Sequence, residues 1–354
     1  MSGPQLPLTG IRVIDLSTYV PGPYASMLLA DFGAEVIAVE SPAGDPARSL
    51  PQRIGDDSAL HSWLGRGKSS IRLDLKSTEG RARLDGLLAE ADVLIEGFTP
   101  GVTARLGIDA DTLRAAHPRL IYCSISGEGS SGSTAPGHDI NYTARSGLSS
   151  QLTDAEGYPV PSGALIADMS GGLHALVGVL VALIERDRSG LGQVIDVSLL
   201  GGAMAFAGHQ IMKALSGHSP QRGIDLNLGG DPAYLVYRTS DDRYISIGSL
   251  EEKFWDRLCR VLERPELREA RTSDPVGTRR ELERIFATRT RAEWESLLEP
   301  AGVCFAPVND LEEALADPRV AAAGLVERGA SGRTLLRNPI RLSRTPADDR
   351  RPAP

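Results

Sequence analysis

The feature that most constrains this chain lies between Ile11 and Glu40. Ile11 to Leu16 alternates apolar and polar residues, as a strand does, and Val20-Pro21-Gly22-Pro23 reads as a turn. Tyr24 to Phe32 has helical spacing, Gly33 stands where that helix must stop, and Ala34 to Val39 forms a second strand closed by Glu40. Strands joined through a crossover helix run parallel, and a parallel sheet needs helices on both faces. The expected class is therefore α/β, with a large Rossmann-like domain built on a parallel sheet.

The pattern recurs downstream. Ser69 to Leu75, Asp92 to Glu96, Leu120 to Ser126 and Gln193 to Ser198 read as further strands. Thr78 to Glu90 and the strongly apolar Gly172 to Arg186 read as helices, and the Gly/Ser-rich run Gly127 to Gly137 as a loop. Ser216 to Gly230 has the composition of a linker. Beyond it, strands at Ala233–Tyr237 and Tyr244–Gly248 precede amphipathic helices at Phe254–Leu262, Thr278–Ala287 and Arg291–Leu298. The expected organisation is a large domain over 1–215, completed by 325–354, a linker over 216–230 and a smaller α+β domain over 231–324. Pro339 to Pro354 reads as a polar tail that wraps or frays.

Composition narrows the function classes. With 354 residues, 41% of them hydrophobic, the chain can bury a substantial core. Its net charge of -8 argues against nucleic acid as a partner. Cys123, Cys259 and Cys304 are odd in number and widely spaced, which suits neither a disulfide framework nor a zinc cluster, so no metal is expected. The N-terminal residues lack the pattern of a secretion signal. The apolar stretch Leu173–Ile184 reads as too short to span a bilayer and contains His174, so no membrane association is expected. A reducing cytoplasm is the expected compartment.

Several residues carry possible chemistry, each with a plainer alternative. The first βαβ turn has no G-x-G-x-x-G, and two prolines remove amide donors where a pyrophosphate would be cradled, which argues against a nicotinamide cofactor. Arg66-Gly67-Lys68, with Arg48 before it and Arg72 after it, suits phosphate binding or an ordinary solvated loop. His138 in Gly137-His138-Asp139-Ile140-Asn141-Tyr142 suits a base near neutral pH, or a capping His-Asp pair. Asp168 lies between an apolar run and a buried helix. It is a helix N-cap, or a partly desolvated carboxyl suited to proton transfer, with Gly171 and Gly172 letting a substrate approach. Glu251 reads by itself as first-turn charge on the following helix.

Taken in order, these stretches resemble the family III CoA-transferases along nearly the whole chain. The matching runs are Leu8–Leu16, Pro21–Ala25, Asp31–Ile37, Gly44–Arg48, Arg66–Ser69, Asp92–Glu96 and Gly190–Leu199. Gly137-His138-Asp139-Ile140-Asn141-Tyr142, Gly229–Tyr234 and Gly248-Ser249-Leu250-Glu251 are similar to the α-methylacyl-CoA racemase branch.

The resemblance implies a mechanism and a site. His138 and Asp168 would flank the α-carbon of a 2-methylacyl-CoA, one removing a proton and the other returning one on the opposite face. Glu251 would pair with His138, and the Asp139 amide would donate to the developing enolate oxygen. Coenzyme A would enter as part of the substrate, with no prosthetic group. Ala38 and Thr99 stand where the family usually carries basic residues, which shifts phosphate binding onto Arg48, Arg66, Lys68 and Arg105. The resemblance also implies an interlocked homodimer. Its alternatives are a CoA-transferase with Asp168 as nucleophile and a non-catalytic CoA-binding protein.

Overall fold

The structure is a computed structural model that describes residues 5–154, 156–328, 334–349 and 351–354. It divides into two compact units, Met1–His209 with Ala321–Pro354, and Gln210–Val320.

The first unit holds a six-stranded parallel sheet. Its strands are β1 (Arg12–Asp15), β2 (Glu35–Glu40), β3 (Ser69–Arg72), β4 (Val93–Glu96), β5 (Ile121–Ser126) and β6 (Val194–Ser198), in the order β3-β2-β1-β4-β5-β6. This is the doubly wound Rossmann order, whose switch point lies between β1 and β4. Val13, Ile14, Val93, Leu94, Ile95 and Ile121 are almost wholly buried, because helices cover both faces.

Helices α1 (Pro21–Asp31), α2 (Thr78–Leu88), α3 (Asp139–Arg145), α4 (Ile166–Ser189) and α5 (Leu199–Phe206) complete this unit's main framework. Pro21 opens α1, where its missing N–H leaves no intrahelical bond unmade. Gly33, with φ of 101°, turns the chain out of α1 in a conformation that a β-branched residue would resist.

Helix α4 starts at Ile166, six residues before the periodicity suggested, so Asp168 lies in its first turn and not ahead of it. Gly171 and Gly172 obscured that start, because glycine is a poor helix former. Their role also differs from the expected one. A Cβ on Gly172 would stand 2.6 Å from the Pro21 carbonyl, and one on Gly171 would enter the Leu199 side chain. The two glycines let α4 press against α1 and α5; they do not clear a path for substrate.

By length and hydropathy α4 could cross a bilayer, contrary to the shorter apolar stretch read from sequence, but half of the relevant window is buried within the protein. Near its other end Arg186, itself buried, pairs with Asp92 at 2.9 Å.

Residues 334–349 and 351–354 pack within this unit. Asp31 accepts from Arg66 (Nε 3.0 Å, Nη2 2.7 Å) and from Asn338 Nδ2 at 2.9 Å. Arg66 Nη1 donates to the Leu336 carbonyl at 2.7 Å, and the Gly67 amide donates to Pro352 at 3.0 Å.

The second unit is α+β. Strands β7 (Tyr234–Arg238), β8 (Tyr244–Gly248) and β9 (Phe305–Pro307) form an antiparallel sheet in the order β9-β8-β7. Helices α6 (Glu252–Val261), α7 (Pro275–Phe286) and α8 (Arg291–Leu298) bury Trp255, Leu258, Leu282 and Trp294 in a core with Tyr237. Phe286 lies 4.9 Å from the Tyr237 ring and 5.1 Å from the Trp294 ring. Residues 216–230, read above as a linker, belong to this unit. They gather around buried Asp225, which accepts from Lys213 at 2.7 Å, His218 at 3.2 Å and the Gln221 amide at 2.6 Å.

Candidate active site

The Gly/Ser-rich loop after β5 is held at both ends, and this fixes where α3 begins. The Leu200 amide donates to the Gly127 carbonyl at 2.9 Å. Asp196, on β6, accepts from the Ser130 amide at 3.0 Å and from its hydroxyl at 2.6 Å. The buried Tyr142 ring then packs against Gly127 and Gly137, where a Cβ on Gly137 would lie 2.8 Å from the Tyr142 hydroxyl. Asp196 and Tyr142 were not singled out from sequence. The visible signal for Asp196 was an acidic residue inside an otherwise apolar strand.

His138 occupies the N-cap of α3 with extended backbone, and its amide donates to Asn141 Oδ1 at 2.9 Å. Its imidazole is exposed. Asp139 follows as the first helical residue, and its carboxylate is buried at 8% exposure. That carboxylate accepts from the backbone amide of Asp168 at 3.1 Å. The residue beside one candidate base is therefore bonded to the other, and the starts of α3 and α4 meet.

Burial and the neighbouring Asp139 charge push the Asp168 carboxyl up to about 6, with His138 acting in the opposite direction. A carboxyl in that range gains and loses a proton near neutral pH, as proton transfer requires. Tyr142 is pushed up as well, by burial and then by the charges of Glu128 and Asp168.

Glu251 lies in the second unit, at the N-cap of α6, and is exposed. The preceding Leu250 carbonyl accepts from Arg271 at 2.7 Å, and Arg271 is in turn held by Asp231 at 2.7 Å.

The four expected phosphate contacts separate into two kinds. Arg66 is buried in its pairing with Asp31, and Lys68 is buried against Asp15 at 3.3 Å and the Pro23 carbonyl at 3.0 Å. Burial lowers the Lys68 amine from its ordinary value. Both cations are paired with carboxylates of their own chain, and Lys68 also lines the pocket described below. Arg48 is half-exposed and clamps Glu40, with Nη2 at 2.6 Å. Burial works against the charged form of Glu40, but hydrogen bonds from Arg48, Ser70 and the Asp45 amide outweigh it and hold its carboxyl at about 2. Arg105 is exposed and has no carboxylate partner among the described residues.

A narrow pocket opens at the carboxyl ends of β1 and β2, between Tyr19, Ala38, Glu40 and His61. In doubly wound sheets ligands sit at this edge. Among the described residues, no three His, Cys, Asp or Glu side chains gather as a metal site.

Comparison with known proteins adds a family. A model of CoA-transferase family III matches residues 8–354. The chain is 38% identical over 315 residues to the alpha-methylacyl-CoA racemase of Mus musculus, covering 87% of this chain and 79% of that one. It is 36% identical over 376 residues to the succinate–glutarate CoA-transferase of Agrobacterium fabrum, covering 98% and 92%. A crystal structure of a CAIB/BAIF family protein from Brucella suis superposes with a TM-score of 0.88 at 31% identity, covering 99% of this chain and 96% of that one.

Proposed function

This chain belongs to CoA-transferase family III, and on that premise we propose that it racemises 2-methylacyl-CoA thioesters by exchanging the proton on the α-carbon. The observation that carries this reading is the hydrogen bond from the Asp168 amide to the Asp139 carboxylate, which joins the starts of the helices bearing His138 and Asp168. Asp168, with its carboxyl at about 6, suits a group that must be a base for one enantiomer and an acid for the other.

In the proposed reaction one of the two removes the α-proton, and the bonding pair moves into the thioester to give an enolate. The other delivers a proton to the opposite face, restoring the carbonyl. The Asp139 amide, first in its helix and so without an intrahelical acceptor, donates to the enolate oxygen. Arg48 and Arg105 are accessible basic residues that meet the phosphates of CoA, which enters as part of the substrate.

Incubation with a 2-methylacyl-CoA in deuterated water, with no carboxylic acid present, tests the reading. Deuterium is expected at the α-carbon, and His138→Ala is expected to slow its uptake at least about a hundredfold. The near-equal identity to a CoA-transferase gives a second reading, in which Asp168 attacks the thioester carbonyl and expels CoA. Hydroxylamine trapping of an acylated Asp168, with no deuterium uptake, would favour that reading and overturn the first.

The proposal includes a homodimer. Leu173, Val177, Val181 and Ile184 recur along α4, and the last three are more than half exposed. A stripe of that kind on a helix otherwise buried in the core suits a second copy of the chain. Sedimentation is expected to give twice the chain mass, and Val177→Asp with Val181→Asp to give monomer; a monomeric wild type overturns this part.

A further inference from the structure

We propose that the Asp139 side chain is a positioning residue, pinning the first turns of α3 and α4 together so that His138 and Asp168 face one reacting carbon. This rests on the reading above and adds a side-chain role to the residue whose backbone amide that reading uses.

Helix α4 needs a cap that its own sequence does not provide. Leu165 occupies the N-cap and has no polar side chain, so no capping side chain from its own segment meets the first-turn amides; the Ile166 amide donates to the Ala164 carbonyl at 3.0 Å, which leaves the Asp168 amide to find an acceptor elsewhere. The Asp139 carboxylate takes the place of that cap from another helix, accepting from Asp168 at 3.1 Å across a separation of 29 residues. It is held in this orientation from its own helix. Thr143 Oγ1 donates to the Asp139 carbonyl at 2.8 Å and lies 3.4 Å from its carboxylate.

The linkage is short. His138 is the covalent neighbour of Asp139, and the bonded amide belongs to Asp168 itself. A shift of α3 relative to α4 would break the bond and separate the two candidate bases. Misplacement by about 1 Å can cost on the order of a hundredfold in rate. Among the described residues, the ionisable groups acting on Asp168 are Asp139 and Tyr142 of α3 and His138 at its N-cap.

Two substitutions separate position from charge. Asp139→Asn keeps an oxygen for the Asp168 amide but loses the charge, whereas Asp139→Ala loses both. Asp139→Ala is expected to lower kcat for α-deuterium exchange about ten- to a hundredfold while KM moves less than about threefold. Asp139→Asn is expected to lower kcat less than Asp139→Ala does and to move the Asp168-dependent limb of the pH–rate profile to lower pH.

Amide hydrogen exchange at residue 168 reads the bond without turnover. It is expected to be slow in the wild type and Asp139→Asn, and faster in Asp139→Ala. A residue 168 amide equally protected in all three proteins overturns the inference. If Asp139→Ala does not fold, an unmoved pH limb in Asp139→Asn overturns it. A wild type that exchanges no α-deuterium, yet shows the expected protection pattern, would sink the racemase reading and leave the bridge standing.

Discussion

Asp168→Asn is expected to abolish α-proton exchange and, at the same time, to make the protein more stable at neutral pH. The loss of rate follows from removing one of two proton-transferring groups, worth about a hundred- to ten-thousandfold. The gain in stability follows from where the carboxyl sits. Its folded value is about 6 against an ordinary 3.8, so the folded chain binds the proton more tightly than the unfolded chain does. Stability therefore falls as pH rises from about 4 to 6, and the deficit persists above that window. The difference between the two values is worth at most about 3 kcal/mol, and the partial exposure of Asp168 reduces this to roughly 1–2 kcal/mol. Asparagine carries no charge and escapes that cost. Thermal unfolding at pH 8 is expected to favour the variant by several degrees, with the advantage gone at pH 3.5. An equal midpoint at pH 8 would mean that Asp168 is better solvated than its burial implies.

The second large effect is structural. Arg66→Met leaves the wholly buried Asp31 with the Asn338 amide as its one remaining side-chain partner among the described residues. Burial already pushes the Asp31 carboxyl up, with Arg66 present to oppose it. Removing one member of a buried pair costs about 3–5 kcal/mol, because the remaining charge is uncompensated. Urea unfolding is expected to show a loss of that size, and limited proteolysis to show earlier cleavage within 334–349, where Leu336 loses its contact with Arg66. Adding Asp31→Leu is expected to recover part of the loss, since two apolar groups can replace a buried pair at little cost. A single variant within about 1 kcal/mol of the wild type would show that this pair does not hold the C-terminal segment.

The Arg66–Asp31 pair accounts for a basic run that resembles a ligand site but is held by the chain's own carboxylates. Arg66-Gly67-Lys68 has the composition of a phosphate loop, and nothing in the local sequence distinguishes a cation facing a ligand from one facing a carboxylate of its own chain. The deciding partners are Asp31 and Asp15, on α1 and β1, far enough away that no local pattern could assign them. Arg48 and Arg105 differ because they remain accessible, and they are the cations that a test of CoA binding would replace first.

The sequence by itself determined the parallel sheet and its helices. Strand alternation, helical spacing and the glycine stops are properties of neighbouring residues, and the crossover connections leave few ways to assemble them. It also marked His138, Asp139 and Asp168 as residues worth attention. What only the tertiary structure decided is which groups meet. Asp139 caps a helix that begins at Ile166, Gly172 brings α4 onto α1, and Asp196 ties down the loop that delivers His138. Each is a contact between segments distant in the chain. The free energy of such a contact depends on burial and geometry that exist only once the sheet has formed.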